Sequence, residues 1–130
     1  MAVKVLIVDD EKEFASTLAE RLNIRGFDAA AVYSGQEALS LIRARDIPDV
    51  VLLDLKMPVM GGIETLAAIK EFDPAIEVIM LTGHGADCST NDIQKGRIFG
   101  HIMKPSNVNE ITEKITKAAA KRSAGGKQER

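Results

Sequence analysis

Cysteine is nearly absent from the 130 residues: Cys88 stands alone. No internal disulfide can form, and nothing in the chain requires an oxidising compartment. Tryptophan is missing, and one tyrosine and four phenylalanines are the whole aromatic content, which excludes a row of stacking platforms for single-stranded nucleic acid. Positive charge is also scarce where a nucleic-acid binder needs it. Lys117, Lys121, Arg122, Lys127 and Arg130 against Glu129 put +4 on residues 117–130, and since the formal net charge is −2, residues 1–116 carry −6. Direct nucleic-acid binding is not expected of such a body. No apolar run approaches the ~20 residues of a membrane helix. The short run at residues 3–8 meets acids at once, unlike a signal peptide or an anchor. No membrane contact is expected, and the cytoplasm is the expected compartment.

What is present is the composition of one globular domain, 45% apolar and 28% charged, long enough for a single core and too short for two. Residues 3–8 (VKVLIV) read as a strand buried on both faces, the kind found in parallel sheets. Residues 11–25 place Phe14, Leu18 and Leu22 on one helical face with Ala15 and Ala19 beside them, and Gly26 supplies the stop. Residues 28–32 form a weak second strand. Ser34 and Glu37 have capping-box spacing ahead of a helix with Ala38, Leu39 and Ile42 inward. A third strand at 50–53, a helix at 62–72 built on Ile63, Leu66 and Ile69, and a fourth strand at 76–81 continue the alternation. Residues 98–103 give a fifth strand. Residues 107 to about 121 give a last helix, capped by Asn107 and Glu110, after which Ser123-Ala-Gly-Gly reads as a linker or tail. Residues 86–96 are expected to be helical by alternation alone, because Ser89, Thr90, Asn91 and Asp92 are poor helix formers.

Five strands alternating with helices predict an α/β fold: a five-stranded parallel sheet of order 2-1-3-4-5, helices on both faces, flavodoxin-like. Ligand sites in such sheets lie outside the carboxyl ends of the strands near the topological switch. Asp9 and Asp10 follow the first strand, Asp54 the third, Thr82 the fourth and Lys104 the fifth. The opposite ends begin with Lys4, Asp49 and Glu77, and no second cluster of this kind is visible there. Three carboxylates at neighbouring strand ends need a positive partner, and Mg2+, which takes hard oxygen ligands and keeps several waters, suits them. Lys104 adds a second cation suited to a phosphoryl oxygen. A carboxylate beside metal and lysine can accept a phosphoryl group, since positioning and charge neutralisation do most of that work. Asp9 and Asp10 also suit a helix amino terminus, and Pro58, Gly61 and Gly62 suit loop geometry.

The acidic pair in VLIVDDE, the strand-end aspartate in LLDLKMPVMGG, Thr82 in MLTGHG and Lys104-Pro105 occur in the order and spacing of a known family. Over about residues 3–121 the chain resembles a response-regulator receiver domain of two-component signalling, CheY-like. The resemblance implies that residues 1–121 are the receiver domain and 122–130 a basic tail or the start of a linker. It implies that Asp54 is the phosphoacceptor. Asp10 and Asp54 would ligate Mg2+ directly, Asp9 through water, and Lys56 by its backbone carbonyl. Thr82 would move to hydrogen-bond the phosphoryl group and Lys104 would pair with it, with a cis peptide at Pro105. His84, two after Thr82, stands where similar domains tune phosphoryl lifetime, and His101 stands where the family carries the Tyr or Phe of the switch. The partners implied are a histidine kinase or histidine phosphotransfer protein as donor, and a downstream output domain or effector. The output face would run from the fourth strand to the last helix, where a homodimer could also form. Such a domain catalyses only its own phosphorylation and dephosphorylation and is not an enzyme with turnover.

Three other readings compete. A phosphatase of the haloacid-dehalogenase type needs an acid two residues after its nucleophile, where Lys56 stands. A flavin mononucleotide binder needs a Ser/Thr/Gly phosphate loop after the first strand, where DDEKEF stands. A phosphorylation-independent receiver acting as a protein-interaction module keeps the fold and drops the chemistry.

Overall fold

Short β-branched runs become strands where both faces can be covered, as in the central strands of this chain, and half-exposed strands flank them. The computed structural model describes residues 2–55, 61–82, 98–103 and 107–128, with the backbone alone described at residue 82 and over 123–128. Its elements are β1 (Lys4–Val8), α1 (Lys12–Ile24), β2 (Asp28–Val32), α2 (Gly35–Arg43), β3 (Val50–Asp54), α3 (Gly62–Phe72), β4 (Glu77–Thr82), β5 (Gly100–Met103) and α4 (Val108–Gln128). All pairings are parallel and the order is β2-β1-β3-β4-β5, as expected. The helix expected over residues 86–96 lies outside the described residues.

The sheet separates two cores. On one face α1 and α4 bring Leu18, Leu22, Ile111 and Ile115 onto Ile7, Val50, Leu52 and Leu81. On the other, α2 and α3 bring Leu39, Ile42, Leu66 and Ile69 onto Leu6, Val8, Val51, Leu53 and Met80. β3 feeds both by alternation, so every one of its residues is buried, Asp54 included. No helix among the described residues is long and apolar enough to cross a membrane.

Several expectations differ from the structure, and the fifth strand, for one, starts at Gly100 rather than at residue 98. The inward stripe of α3 runs through Gly62, Thr65, Leu66 and Ile69, leaving Ile63 44% exposed. One residue advances a helix by about 100°, so a stripe that begins at Gly62 turns its successor outward. The last helix does not stop near Lys121 but reaches Gln128. Once residues 108–122 are fixed against the sheet, elongation needs no new nucleus, and it proceeds despite about 1 kcal/mol for each of Gly125 and Gly126. Ser34 Oγ accepts the Glu37 N–H (3.1 Å) as predicted, but Glu37 Oε1 reaches back one residue further, to the N–H of Tyr33 (2.7 Å).

That last bond belongs to the treatment of an edge. Asp28 donates to Val3 O and Asp9 to Val32 O, so even-numbered residues of β2 face β1 and odd-numbered ones face the outer margin. There the side-chain amide of Asn23 receives the Ala29 N–H (2.8 Å) and donates to its carbonyl (3.0 Å), as a neighbouring strand would. With Glu37 on Tyr33, both ends of the margin are occupied by side chains.

α1 and α2 end in the same way with different residues. Gly26 (φ 93°) sits between bonds from its own N–H to Asn23 O and from Phe27 N–H to Leu22 O, and Arg45 (φ 74°) sits between Arg45 N–H to Ile42 O and Asp46 N–H to Leu41 O. These are Schellman caps, and the left-handed position costs any residue with a Cβ. Arg45→Gly is expected to raise unfolding free energy by about 0.5–1 kcal/mol, after the unfolded-state entropy of glycine is counted, and Gly26→Ala to lower it by about 1 kcal/mol. Urea midpoints at unchanged m check both.

At the amino ends of the strands, charged groups stitch α4 to the sheet. Asp49 accepts the Lys4 N–H (2.9 Å) and the Arg122 Nε (3.2 Å), and Arg122 Nη1 lies 3.6 Å from Asp73. Lys121 Nζ stands 3.8 Å from Glu77 Oε1, an ion pair too long to be a hydrogen bond. Lys70 Nζ donates to Ile76 O (2.6 Å) and Pro74 O (3.2 Å). Burial holds the Lys70 ammonium below its ordinary 10.5, with Glu77 opposing the shift. The unfolded chain therefore binds this proton more tightly than the native one, and stability gains a contribution as pH rises from the native pKa towards 10.5. Lys70→Met is expected to lose that alkaline gain, read as the difference in urea midpoint between wild type and variant along the pH series.

Candidate functional site

β1 and β3 run side by side with Val8 opposite Leu53, so the residues that follow reach the same carboxyl rim. Asp9 is fully buried, Asp54 is 5% exposed at the last position of β3, and Asp10 is exposed. One carboxylate oxygen from each of the three lies within 4.8 Å of the other two. Like charges ~4 Å apart repel by about 4 kcal/mol at the effective dielectric of a protein surface, so this is a place that favours a cation. The donor atoms are all hard oxygens, two buried and one open to water, and they fit Mg2+, which binds one or two carboxylates and retains waters. Asp9 also serves the backbone, its Oδ1 accepting the Glu11 N–H (2.9 Å) just ahead of α1.

The other expected residues separate into three groups. Asp54 faces Leu81 in the ladder, and the backbone of Thr82 comes next, paired with Met103, so Thr82 stands at this rim. His101 is exposed on the edge strand opposite Met80, its carbonyl accepting Lys114 Nζ at 3.4 Å, and it is not part of the acidic group. Lys56, His84, Lys104 and Pro105 lie outside the described residues.

One neighbour of the site is not apparent from the sequence, where Gly61-Gly62 suits the turn. A Cβ on Gly62 would stand 2.5 Å from the Asp54 carbonyl oxygen and 2.8 Å from Leu55 Cα and O. The Gly62 N–H donates to Leu55 O (3.2 Å), and Thr65, fully buried, places its Oγ1 on Gly61 O (2.9 Å). The signal available in sequence is the paired glycine itself, without any indication of which of the two is crowded.

Residues 5–116 match the family model of the response regulator receiver domain. The chain is 36% identical over 120 residues to sporulation initiation phosphotransferase F of Bacillus subtilis, covering 90% of this chain and 94% of that protein. It is 36% identical over 129 residues to the transcriptional regulatory protein CpxR of Escherichia coli, covering 97% of this chain and 53% of that protein. It thus spans about half the length of that regulator. The crystal structure of a response regulator receiver domain protein from Clostridium thermocellum superposes with a TM-score of 0.81 at 29% identity, covering 94% of this chain and 98% of that one. With the strand order, the acidic rim and the family match all in agreement, the chain belongs to the response regulator receiver domain family.

Proposed function

We propose that the domain serves phosphorelay signalling by accepting a phosphoryl group on Asp54 in a Mg2+-dependent step. The observation that carries this reading is the convergence of Asp9, Asp10 and Asp54 at one strand-end rim in a chain of this family. Asp10 and Asp54 would hold the metal directly, Asp9 through water, with the Lys56 carbonyl as a further ligand. Bound there, Mg2+ neutralises charge on the transferring group and helps align it. A carboxylate oxygen of Asp54 forms the new P–O bond as the donor's P–N bond breaks, the electron pair going to the imidazole of a phosphohistidine. The burial of Asp54 and its place in a central strand hold that oxygen still during in-line attack. Lys104 pairs with the phosphoryl oxygens and Thr82 donates to one of them. The added charge biases two packings of the face from β4 to α4, which carries His101.

The donor is a partner histidine kinase or phosphotransfer protein, and the recipient of the signal is an output domain or effector protein. Residues 1–121 form the receiver unit and 122–130 the basic tail or start of a linker, which begins inside α4 with Arg122 still bonded to Asp49. The domain works in the cytoplasm, and a homodimer through the β4-to-α4 face is one form the output takes. His84 adjusts the lifetime of the acyl phosphate. The direct test is incubation with acetyl phosphate and Mg2+, followed by measurement of an acid-stable, alkali-labile adduct. Absence of the adduct would sink the reading and leave the phosphorylation-independent interaction module.

A further inference from the structure

We infer that Gly62 is a positioning residue for Asp54: the missing side chain at this position lets the first turn of α3 seat directly on the acceptor's peptide. The inference rests on the reading of Asp54 as acceptor and adds what holds its backbone in place.

The geometry leaves no room for a substitute. A Cβ at Gly62 would lie 2.5 Å from the Asp54 carbonyl oxygen and 2.8 Å from Leu55 Cα and O, all backbone atoms. Neither side yields easily. Asp54 is fixed in the ladder opposite Leu81, and Leu55 N–H donates to Leu81 O at 3.0 Å. On the other side α3 is pinned through fully buried Leu66 and Ile69, and its first turn is tied by Thr65, whose N–H and Oγ1 both reach Gly61 O. The bond from Gly62 N–H to Leu55 O closes the loop that leaves β3. Restoring ordinary contact, about 3.4 Å, means opening this seam by nearly 1 Å, a displacement that can cost on the order of 10²-fold in rate when it falls on a reacting group. Gly61 provides an internal control. Among the described residues a Cβ there meets nothing within 4 Å, and its φ of −71° and ψ of 171° suit any residue.

The experiment compares Gly62→Ala with Gly61→Ala, measuring the initial rate of acyl phosphate formation from acetyl phosphate at saturating Mg2+, well below each unfolding midpoint. Gly62→Ala is expected to lose on the order of 10²-fold per folded molecule, while Gly61→Ala keeps the wild-type rate. A Gly62→Ala protein that only melts earlier and reacts at the wild-type rate overturns the inference. Should that variant fail to fold, Thr65→Val takes its place: a slower rate restored by Thr65→Ser supports positioning, and an unchanged rate overturns it. If wild type forms no acyl phosphate, the reading of Asp54 falls, and amide NMR shifts of Asp54, Leu55 and Leu81 decide the positioning by themselves. Shifts that move in Gly62→Ala or Thr65→Val but not in Gly61→Ala support it, and unmoved shifts overturn it.

Discussion

Asp54→Asn is expected to reduce acyl phosphate formation to background, because an amide offers the phosphorus no anionic oxygen and the other two carboxylates of the group have different places. Asp9 has committed one oxygen to the Glu11 N–H, and Asp10 stands exposed, outside the strand that fixes Asp54. The same substitution removes one of three charges that gather a cation, so the rise in melting midpoint on adding Mg2+ should shrink as well, in proportion to the weakened binding. Intact-mass measurement after acetyl phosphate treatment reads the first effect and a Mg2+ series of thermal melts reads the second. Asp49→Asn is the matched control. It removes a carboxylate at the opposite ends of the strands and should lower stability while phosphorylation continues. Labelling of Asp54→Asn at the wild-type rate would place the acceptor elsewhere.

The largest stability effect should come from the middle of β3. Leu52 is fully buried, inside the core that α1 and α4 close over. Leu52→Ala removes three carbons from a site walled by a central strand and two helices that cannot collapse inward together. The expected loss is about 3–5 kcal/mol, transfer and cavity terms combined. For a domain whose whole stability is of order 5–15 kcal/mol this is enough to populate unfolded molecules at moderate urea. Ile24, 77% exposed at the end of α1, gives the contrast: Ile24→Ala should change stability by no more than about 0.5 kcal/mol. Urea titrations of both variants at one temperature separate these outcomes, and equal losses would contradict the burial assigned to β3.

These two predictions also mark how much the sequence discloses. β3 is legible because its apolar run is short, continuous and β-branched at its start, and the same feature in β1 and β4 identifies a parallel sheet before any contact is known. The acidic rim follows from one rule about where such sheets place their sites, which is why Asp9, Asp10 and Asp54 could be grouped although 45 positions separate the first from the last. Ile63 shows where pattern fails, since an apolar residue at an expected inward spacing is turned out when a glycine takes the inward place before it. The stitching of Asp49 to Arg122 fails for another reason. Asp49 and Glu77 look ordinary singly, and their partners Arg122 and Lys121 arrive from a helix 73 and 44 positions further on (122−49 and 121−77), distances no periodicity spans. Gly62 is hidden more simply, because sequence records a missing side chain without recording what presses against the space.

The dressed margin of β2 bears on how copies of this domain can be joined. A strand arriving at that side finds the Ala29 donor and acceptor already answered by Asn23 and the Tyr33 donor by Glu37. It must break those bonds before gaining its own, so the first rungs of any added ladder are exchanges rather than gains. The sheet therefore resists extension at its β2 margin, and an assembly built by strand addition there would begin by exchanging bonds already made.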